Sequence, residues 1–236
     1  MRSTFDEQLK QLNDKLVEMG AIVERAIADA SKALITQDVM LAHKVIENDD
    51  VIDDMEDLIE DMCQKIIMRQ QPIAGDLRNI LAISKMIVDL ERIGDNASDI
   101  SELAIFLAEG KTAGKMEHIS QMGEATLSMV TRAIDAFVRK DLELARDVID
   151  YDDVVDDLFT LVKEDVIGLI KTDIDKSGFG IDLIMIAKYF ERIGDHATNV
   201  AEWVVYSITG ENKHGIAGRH KATAHPASHE ESNNAK

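Results

Sequence analysis

The stretches ERIGDNASDISE (residues 91–102) and ERIGDHATNVAE (residues 191–202) begin with the same five residues, 100 positions apart. Each places a glycine inside a run whose apolar residues recur at the spacing of one helical face. Glycine costs about 1 kcal/mol relative to alanine in a helix interior. The carboxylates of Glu91 and Asp95, one turn apart, also repel each other. Two unfavourable features that occur twice indicate a shared role.

The similarity between the two halves extends well beyond this motif. MGAIVERAIADASKALITQD, from Met19, aligns without gaps with MGEATLSMVTRAIDAFVRKD, from Met122. DVMLAHKVIENDDVIDD, from Asp38, continues against DLELARDVIDYDDVVDD, from Asp141. The offset is 103 here and 100 at the ERIGD motif, so the second copy is three residues shorter in between. Similarity that stays in register over this length indicates an internal duplication.

Composition and turn signals favour helices throughout. Only 4% of the 236 residues are aromatic and two are proline, which is typical of helical proteins. Turn signals divide each copy into three helices. The first copy is predicted to form helices at 4–35, 38–69 and 76 to about 109, with Asp38 and Asp76 as N-caps. The second is predicted to form helices at 116–139, 141–172 and 181–209, with DKSGFG as a break.

These elements predict an all-α fold of two tandem, pseudo-symmetric three-helix bundles. The first bundle is expected at residues 1–110 and the second at 115–210, joined at EGKTAGK. Residues 211–236 have no periodic pattern and contain four histidines, so we expect a disordered tail. A metal site on those histidines is the less favoured interpretation.

Charge and cysteine content exclude several classes of protein. The formal net charge is −19, and so acidic a surface repels nucleic acids while it suits cations or a basic partner. Cys63 is the only cysteine, which excludes an intrachain disulfide. The opening residues MRSTFDEQLK lack the apolar stretch of a secretory leader, and no uncharged run approaches the length of a membrane span, so we expect neither feature. We therefore expect a cytoplasmic protein.

Acidic residues form stripes on the predicted helices. At 100° per residue, Glu91, Asp95, Asp99 and Glu102 fall within about 80° of one helix face. Asp49 and Asp53 form a similar pair on the preceding helix. The corresponding residues of the second copy are Asp152, Asp156, Glu191, Asp195 and Glu202, with Asn199 in place of Asp99.

Two interpretations of the stripes stay open on the residues alone. One is a solvated polar face, in which Arg92 and Arg192 pair with nearby carboxylates. The other is a set of cation sites, because a bound cation removes the repulsion between carboxylates and oxygen ligands favour Mg, Mn, Ca or Fe. His196 is either an accessory ligand or an ordinary surface histidine. The repeated glycine would then let a neighbouring helix or a ligand approach closely.

The chain resembles the PhoU family of bacterial phosphate-signalling accessory proteins. The motifs MGAIVERAI, RQQPIAGDLRNI, SKMIVDLERIGDNA and YFERIGDHATNVAE carry the resemblance, which covers about residues 5–210. It implies two similar three-helix bundles. It also implies a cytoplasmic negative regulator of the phosphate-starvation response, held at the inner membrane by its partners. Those partners are the Pst phosphate ABC transporter and the phosphate sensor histidine kinase, and a homodimer is expected.

The resemblance further implies metal ions on four acidic motifs. Iron or zinc clusters, or Mg or Mn, would be held by Asp49 with Asp53, Glu91 with Asp95, Asp152 with Asp156, and Glu191 with Asp195. Asp99, Glu102, Asn199 and Glu202 are weaker candidates beside them. A metal-dependent hydrolase and a metal-storage bundle are the alternatives, but the sequence shows no nucleophile with an adjacent base and lacks Glu-x-x-His pairs on facing helices. We therefore predict a protein that is not an enzyme.

Overall fold

The computed structural model describes residues 2–109 and 116–210, and within them the predicted all-α class is confirmed. The first repeat contains α1 (Arg2–Thr36), α2 (Val39–Glu47), α3 (Asp49–Gln70) and α4 (Ala74–Glu109). The second contains α5 (Glu117–Arg139), α6 (Leu142–Asp150), α7 (Asp152–Thr172), a short 3₁₀ turn (Ile174–Lys176) and α8 (Ser177–Thr209). Most of the predicted linker and the predicted disordered tail lie outside the described residues.

The second helix of each repeat is interrupted, although the sequence predicted one continuous helix. The break falls at Asn48 in the first repeat and at the equivalent Tyr151 in the second. Both residues have ψ near 0° (−4° and −12°), so the chain turns there before a new helix starts. The apolar period continues across the break, which is why the pattern did not show it. Asp49 and Asp152 thus become the first residues of α3 and α7, where the positive end of the helix dipole favours a carboxylate.

Two further boundaries differ from the prediction. Asp76 lies in the first turn of α4, which begins at Ala74, so its assignment as an N-cap was wrong. The break before the last helix lies at residues 173–176, so it includes only Asp175 and Lys176 of the DKSGFG segment, and α8 begins at Ser177, four residues earlier than predicted. Gly180 lies inside α8, where an added Cβ would stand 2.9 Å from Val166 Cγ1 of α7. Close helix packing therefore overrides the low helical propensity of this glycine.

The two repeats pack face to face through pairs of equivalent residues. An added Cβ at Gly20 of α1 would stand 3.0 Å from Ile134 Cγ1 of α5, and one at Gly123 of α5 would stand 2.5 Å from Ser31 Oγ of α1. Gly20 aligns with Gly123, and Ser31 aligns with Ile134. The contact of Gly20 with Ile134 is therefore equivalent to the contact of Gly123 with Ser31, which shows that α1 and α5 run antiparallel about a local two-fold axis. The apolar residues of both repeats form one continuous core.

Within residues 2–109 and 116–210, no helix is both long and apolar enough to cross a bilayer.

Candidate functional site

The glycine of each ERIGD motif lies where two helices approach closely. An added Cβ at Gly94 of α4 would stand 2.7 Å from Ile52 Cδ1 and 3.3 Å from Asp49 Oδ1 of α3. At Gly194 of α8 it would stand 3.2 Å from Asp152 Oδ1 and 3.4 Å from Val155 Cγ1 of α7. The missing Cβ therefore lets the first turn of α3 or α7 pack against the motif. This contact brings the carboxylates of two helices together.

In the first repeat, three of the four predicted residues form one cluster, which we call the first carboxylate cluster. Asp53, Glu91 and Asp95 each offer an oxygen, and these oxygens lie within 4.8 Å of one another. Arg92 borders the cluster, with Nε 3.4 Å from Glu91 Oε2 and Nη1 3.1 Å from Asp95 Oδ2. The predicted pairing of Arg92 with carboxylates is confirmed. Asp49, the fourth predicted residue, lies at the edge of the cluster.

Burial and mutual repulsion raise the proton affinity of the first carboxylate cluster. Burial, followed by the charge of Asp95, raises the pKa of Glu91 to about 7. Burial, followed by the charges of Asp95 and Asp53, raises the pKa of Asp49 to about 6, although a hydrogen bond with Ser98 opposes the rise. Burial and then Asp95 also raise the pKa of Asp53. The cluster therefore favours a proton or a cation over three free charges.

The second repeat places the equivalent residues at the α7–α8 contact, and we call them the second cluster: Asp152, Asp156, Glu191 and Asp195. Burial and then the charge of Asp195 raise the pKa of Asp152 to about 6. Burial and then Glu191 raise the pKa values of Asp156 and Asp195. In the described part of the chain, however, only the first repeat brings three carboxylates within reach of a single ion.

A lysine accounts for part of the difference between the two clusters. Lys188 of α8 forms an ion pair with Glu191. Its positive charge partly opposes the rise in the pKa values of Asp156 and Asp195. The equivalent position in the first repeat is Val88. The second cluster therefore carries a built-in counter-charge, whereas the first relies on Arg92 alone.

Of the four weaker candidates, Asp99 and Asn199 contact the other repeat at the crossing of α4 and α8, and Glu102 lies close to Asp99. Asp99 of α4 interacts with Tyr189 and Arg192 of α8, and burial followed by Glu102 raises the pKa of Asp99. Asn199 Nδ2 donates to Asp89 Oδ1 at 2.9 Å. Glu202 is buried, with 6% of its surface exposed. Asp99 and Asn199 thus link the two repeats, and none of the four is among the three residues that lie within reach of one ion.

His196 belongs to the same crossing. Its Nδ1 lies 2.9 Å from Asp89 Oδ1, and both side chains are largely buried. The histidine is thus held at the crossing through its Nδ1 and is not a fully solvated surface residue. Residues 89 and 189 are equivalent, as are 99 and 199, so the contacts of Asp89 with Asn199 and of Tyr189 with Asp99 repeat the local two-fold symmetry.

The comparison with known families gives one decisive observation. The model of the PhoU domain matches the chain twice, at residues 16–104 and 119–204. The chain belongs to the PhoU family. The two matches also confirm the tandem repeat predicted from the sequence.

Relatives and solved structures agree with this assignment. The phosphate-specific transport system accessory protein PhoU homolog of Clostridium acetobutylicum is 38% identical over 211 residues, or 89% of this chain and 96% of that protein. The Pseudomonas aeruginosa homolog is 39% identical over 207 residues, or 87% of this chain and 86% of that protein.

The crystal structure of PhoU from Pseudomonas aeruginosa matches with a TM-score of 0.84 and 38% identity, over 88% of this chain and all of that chain. The phosphate transport system regulatory protein PhoU from Streptococcus pneumoniae matches with a TM-score of 0.80 and 29% identity, over 88% and 98% of the two chains.

Proposed function

We propose that this protein is a non-enzymatic accessory protein of phosphate transport that represses the phosphate-starvation response. It would couple the Pst phosphate ABC transporter to the phosphate sensor histidine kinase from the cytoplasmic side of the inner membrane. The observation that carries this proposal is the match over nearly the whole length of proteins named as accessory proteins of the phosphate-specific transport system. The regulatory role also appears in the name of the Streptococcus pneumoniae protein.

The site supports a regulator better than a metal-dependent hydrolase. A hydrolase acting on a phosphate ester needs a cationic group that is free to hold the substrate. Beside the first carboxylate cluster, the guanidinium group of Arg92 is engaged with Glu91 and Asp95. A phosphatase screen on the metal-loaded protein separates the two classes, because a regulator shows no turnover.

We also propose that the first carboxylate cluster binds a hard cation. The donor set fits this role, because Asp53, Glu91 and Asp95 supply oxygen ligands only and lie within reach of one ion. Iron, zinc, magnesium and manganese are the ions to test. A bound ion would neutralise the cluster and tie α3 to α4, and so stabilise the helix pair that the ERIGD glycine brings together. In the second repeat, an ion would have to compete with Lys188 for Glu191.

The experiment that tests the regulatory proposal is deletion of the gene in its host. A phosphate-starvation promoter fused to a reporter is measured in phosphate-rich medium. Deletion is expected to make the promoter constitutive, and the wild-type gene on a plasmid is expected to restore repression. A promoter that stays repressed without the gene contradicts the proposal. The homodimer implied by the family stays a prediction, which sedimentation analysis tests.

A further inference from the structure

A cavity of about 380 Å³ lies in the first repeat, and Asp49, Asp53, Glu91 and Asp95 are not among the residues that line it. It opens between α1 and the break that separates α2 from α3. An engineered cavity of about 150 Å³ is enough to hold a benzene ring, so this space accommodates an aromatic side chain. Its lining includes Ile22, Arg25, Ala26, Asp29, Val45 and Asn48.

The second repeat shows what fills the equivalent space. Asn48 aligns with Tyr151, and both residues have the same backbone conformation (φ −85°, ψ −4° and φ −74°, ψ −12°). Tyr151 packs against the apolar core, and the Arg132 guanidinium carbon lies 5.5 Å from the centre of its ring. The cavity in the first repeat therefore lies where the second repeat has a tyrosine ring.

The charges around the two positions are reversed. Arg132, which covers the ring of Tyr151, aligns with Asp29 in the cavity wall. Asp147, whose Oδ2 lies 3.8 Å from Arg132 Nη2, aligns with Lys44. An aromatic ring in the first repeat would thus find an anion at the position where the second repeat has a cation. Glu18 and Arg25 also line the cavity, so two carboxylates face one cation in its wall and an added positive charge is still favoured there. A ring that arrives with its own positive charge beside it would restore the cation–π arrangement and pair with Asp29.

We propose that this cavity binds an aromatic side chain of a partner protein, presented next to a basic residue that faces Asp29. The size of the cavity follows from the substitution of asparagine for tyrosine, and the preference for a basic neighbour follows from the substitution of aspartate for arginine. The net charge of −19 favours a basic segment on the partner as well. The inference goes beyond the proposed function and does not depend on the carboxylate clusters.

Three peptides test the proposal by calorimetry on the full chain: acetyl-Lys-Tyr-Lys-amide, acetyl-Lys-Ala-Lys-amide and acetyl-Gln-Tyr-Gln-amide. The wild-type protein is expected to bind the first peptide at least about tenfold more tightly than the second, because burial of an aromatic ring contributes that much or more. It is expected to bind the glutamine peptide about threefold or more weakly, because the charge partner of Asp29 is missing.

Variants then locate the site. Asn48→Tyr is expected to close the cavity with its own ring and to remove the preference for the tyrosine peptide. Ala26→Met, which introduces the residue of the equivalent position 129, is a second way to fill the cavity if the first variant does not fold. Tyr151→Asn is the matched control, because it is expected to open an equivalent space beside Arg132, which takes the glutamine peptide in preference to the lysine peptide.

Three outcomes overturn the proposal. The first is equal binding of the tyrosine and alanine peptides to the wild-type protein. The second is an unchanged preference in the variants that fill the cavity. The third is equal binding of the lysine and glutamine peptides, which would show a site for aromatic rings in general and not for a basic partner segment.

Discussion

Substitution of Gly94 by alanine tests why the ERIGD motif contains a glycine. In a helix that is free on that face, the change would stabilise the protein by about 1 kcal/mol through helical propensity. Here the new methyl group would stand 2.7 Å from Ile52 Cδ1, and Ile52 is 1% exposed. Overpacking of this kind costs about 1–3 kcal/mol. We therefore expect Gly94→Ala to lower the free energy of unfolding by about 1 kcal/mol.

The second repeat supplies the matched control. At Gly194 an added Cβ would stand 3.2 Å from Asp152 Oδ1 and 3.4 Å from Cγ1 of Val155, which has no Cδ1. We expect Gly194→Ala to be close to neutral. Ile52→Val introduces the second-repeat residue into the first repeat and removes the crowding atom. In that background, the cost of Gly94→Ala is expected to fall by about 1 kcal/mol, a coupling that a double-mutant cycle measures.

Urea unfolding followed by circular dichroism at 222 nm gives the four free energies of this cycle. If Gly94→Ala stabilises the protein, the close approach of Ile52 does not exclude a side chain at position 94. If the cost of the alanine is the same with valine at position 52, the close approach of Ile52 is not the reason for the glycine.

Three further predictions concern charge. Burial raises the pKa of Glu91 from 4.5 to about 7, so between these pH values the folded metal-free protein holds a proton that the unfolded chain releases. The free energy of unfolding is therefore expected to fall by about 2 kcal/mol from pH 5 to pH 8. Urea titrations in EDTA should show a smaller fall for Glu91→Gln. Lys188→Val, which copies Val88, is expected to make Mn²⁺ bind about fivefold more tightly at the second cluster in calorimetry; unchanged affinity contradicts the counter-charge role of the lysine. Asp89→Ala is expected to cost about 2 kcal/mol in urea unfolding, because two largely buried partners lose their acceptor, and a cost near zero would show that the crossing of α4 and α8 does not depend on it.

The sequence predicted the fold well because the duplication supplied two independent copies of each pattern. Apolar spacing gave the helices and their order. It failed at Asn48 and Tyr151, where the break leaves the apolar period intact, and at the DKSGFG segment, where contact with Val166 stabilises a helix that propensity disfavours. Both errors arose because tertiary packing and backbone geometry are not contained in local patterns.

The candidate site was predicted only in part, for a geometric reason. Glu91 and Asp95 lie one turn apart on α4, so their proximity follows from the sequence alone. The addition of Asp53 requires the contact between α3 and α4, which the glycine permits. Asp99 lies eight residues after Glu91, and at 100° per residue it is rotated by about 80°. This rotation points it toward α8 and the second repeat, a direction that the sequence did not reveal. Lys188 could have been found, because it is an obvious difference from Val88 in the aligned repeats.

Titration of the metal-free protein with Mn²⁺, followed by electron paramagnetic resonance of the free ion, tests whether the acidic ERIGD motif is a cation site and whether the first repeat holds the tighter one. Asp95→Asn and its matched partner Asp195→Asn carry the same change in the two repeats. We predict that Asp95→Asn abolishes the tighter binding, whereas Asp195→Asn leaves it unchanged. Equal effects of the two variants, or no binding by the wild-type protein, would contradict the account.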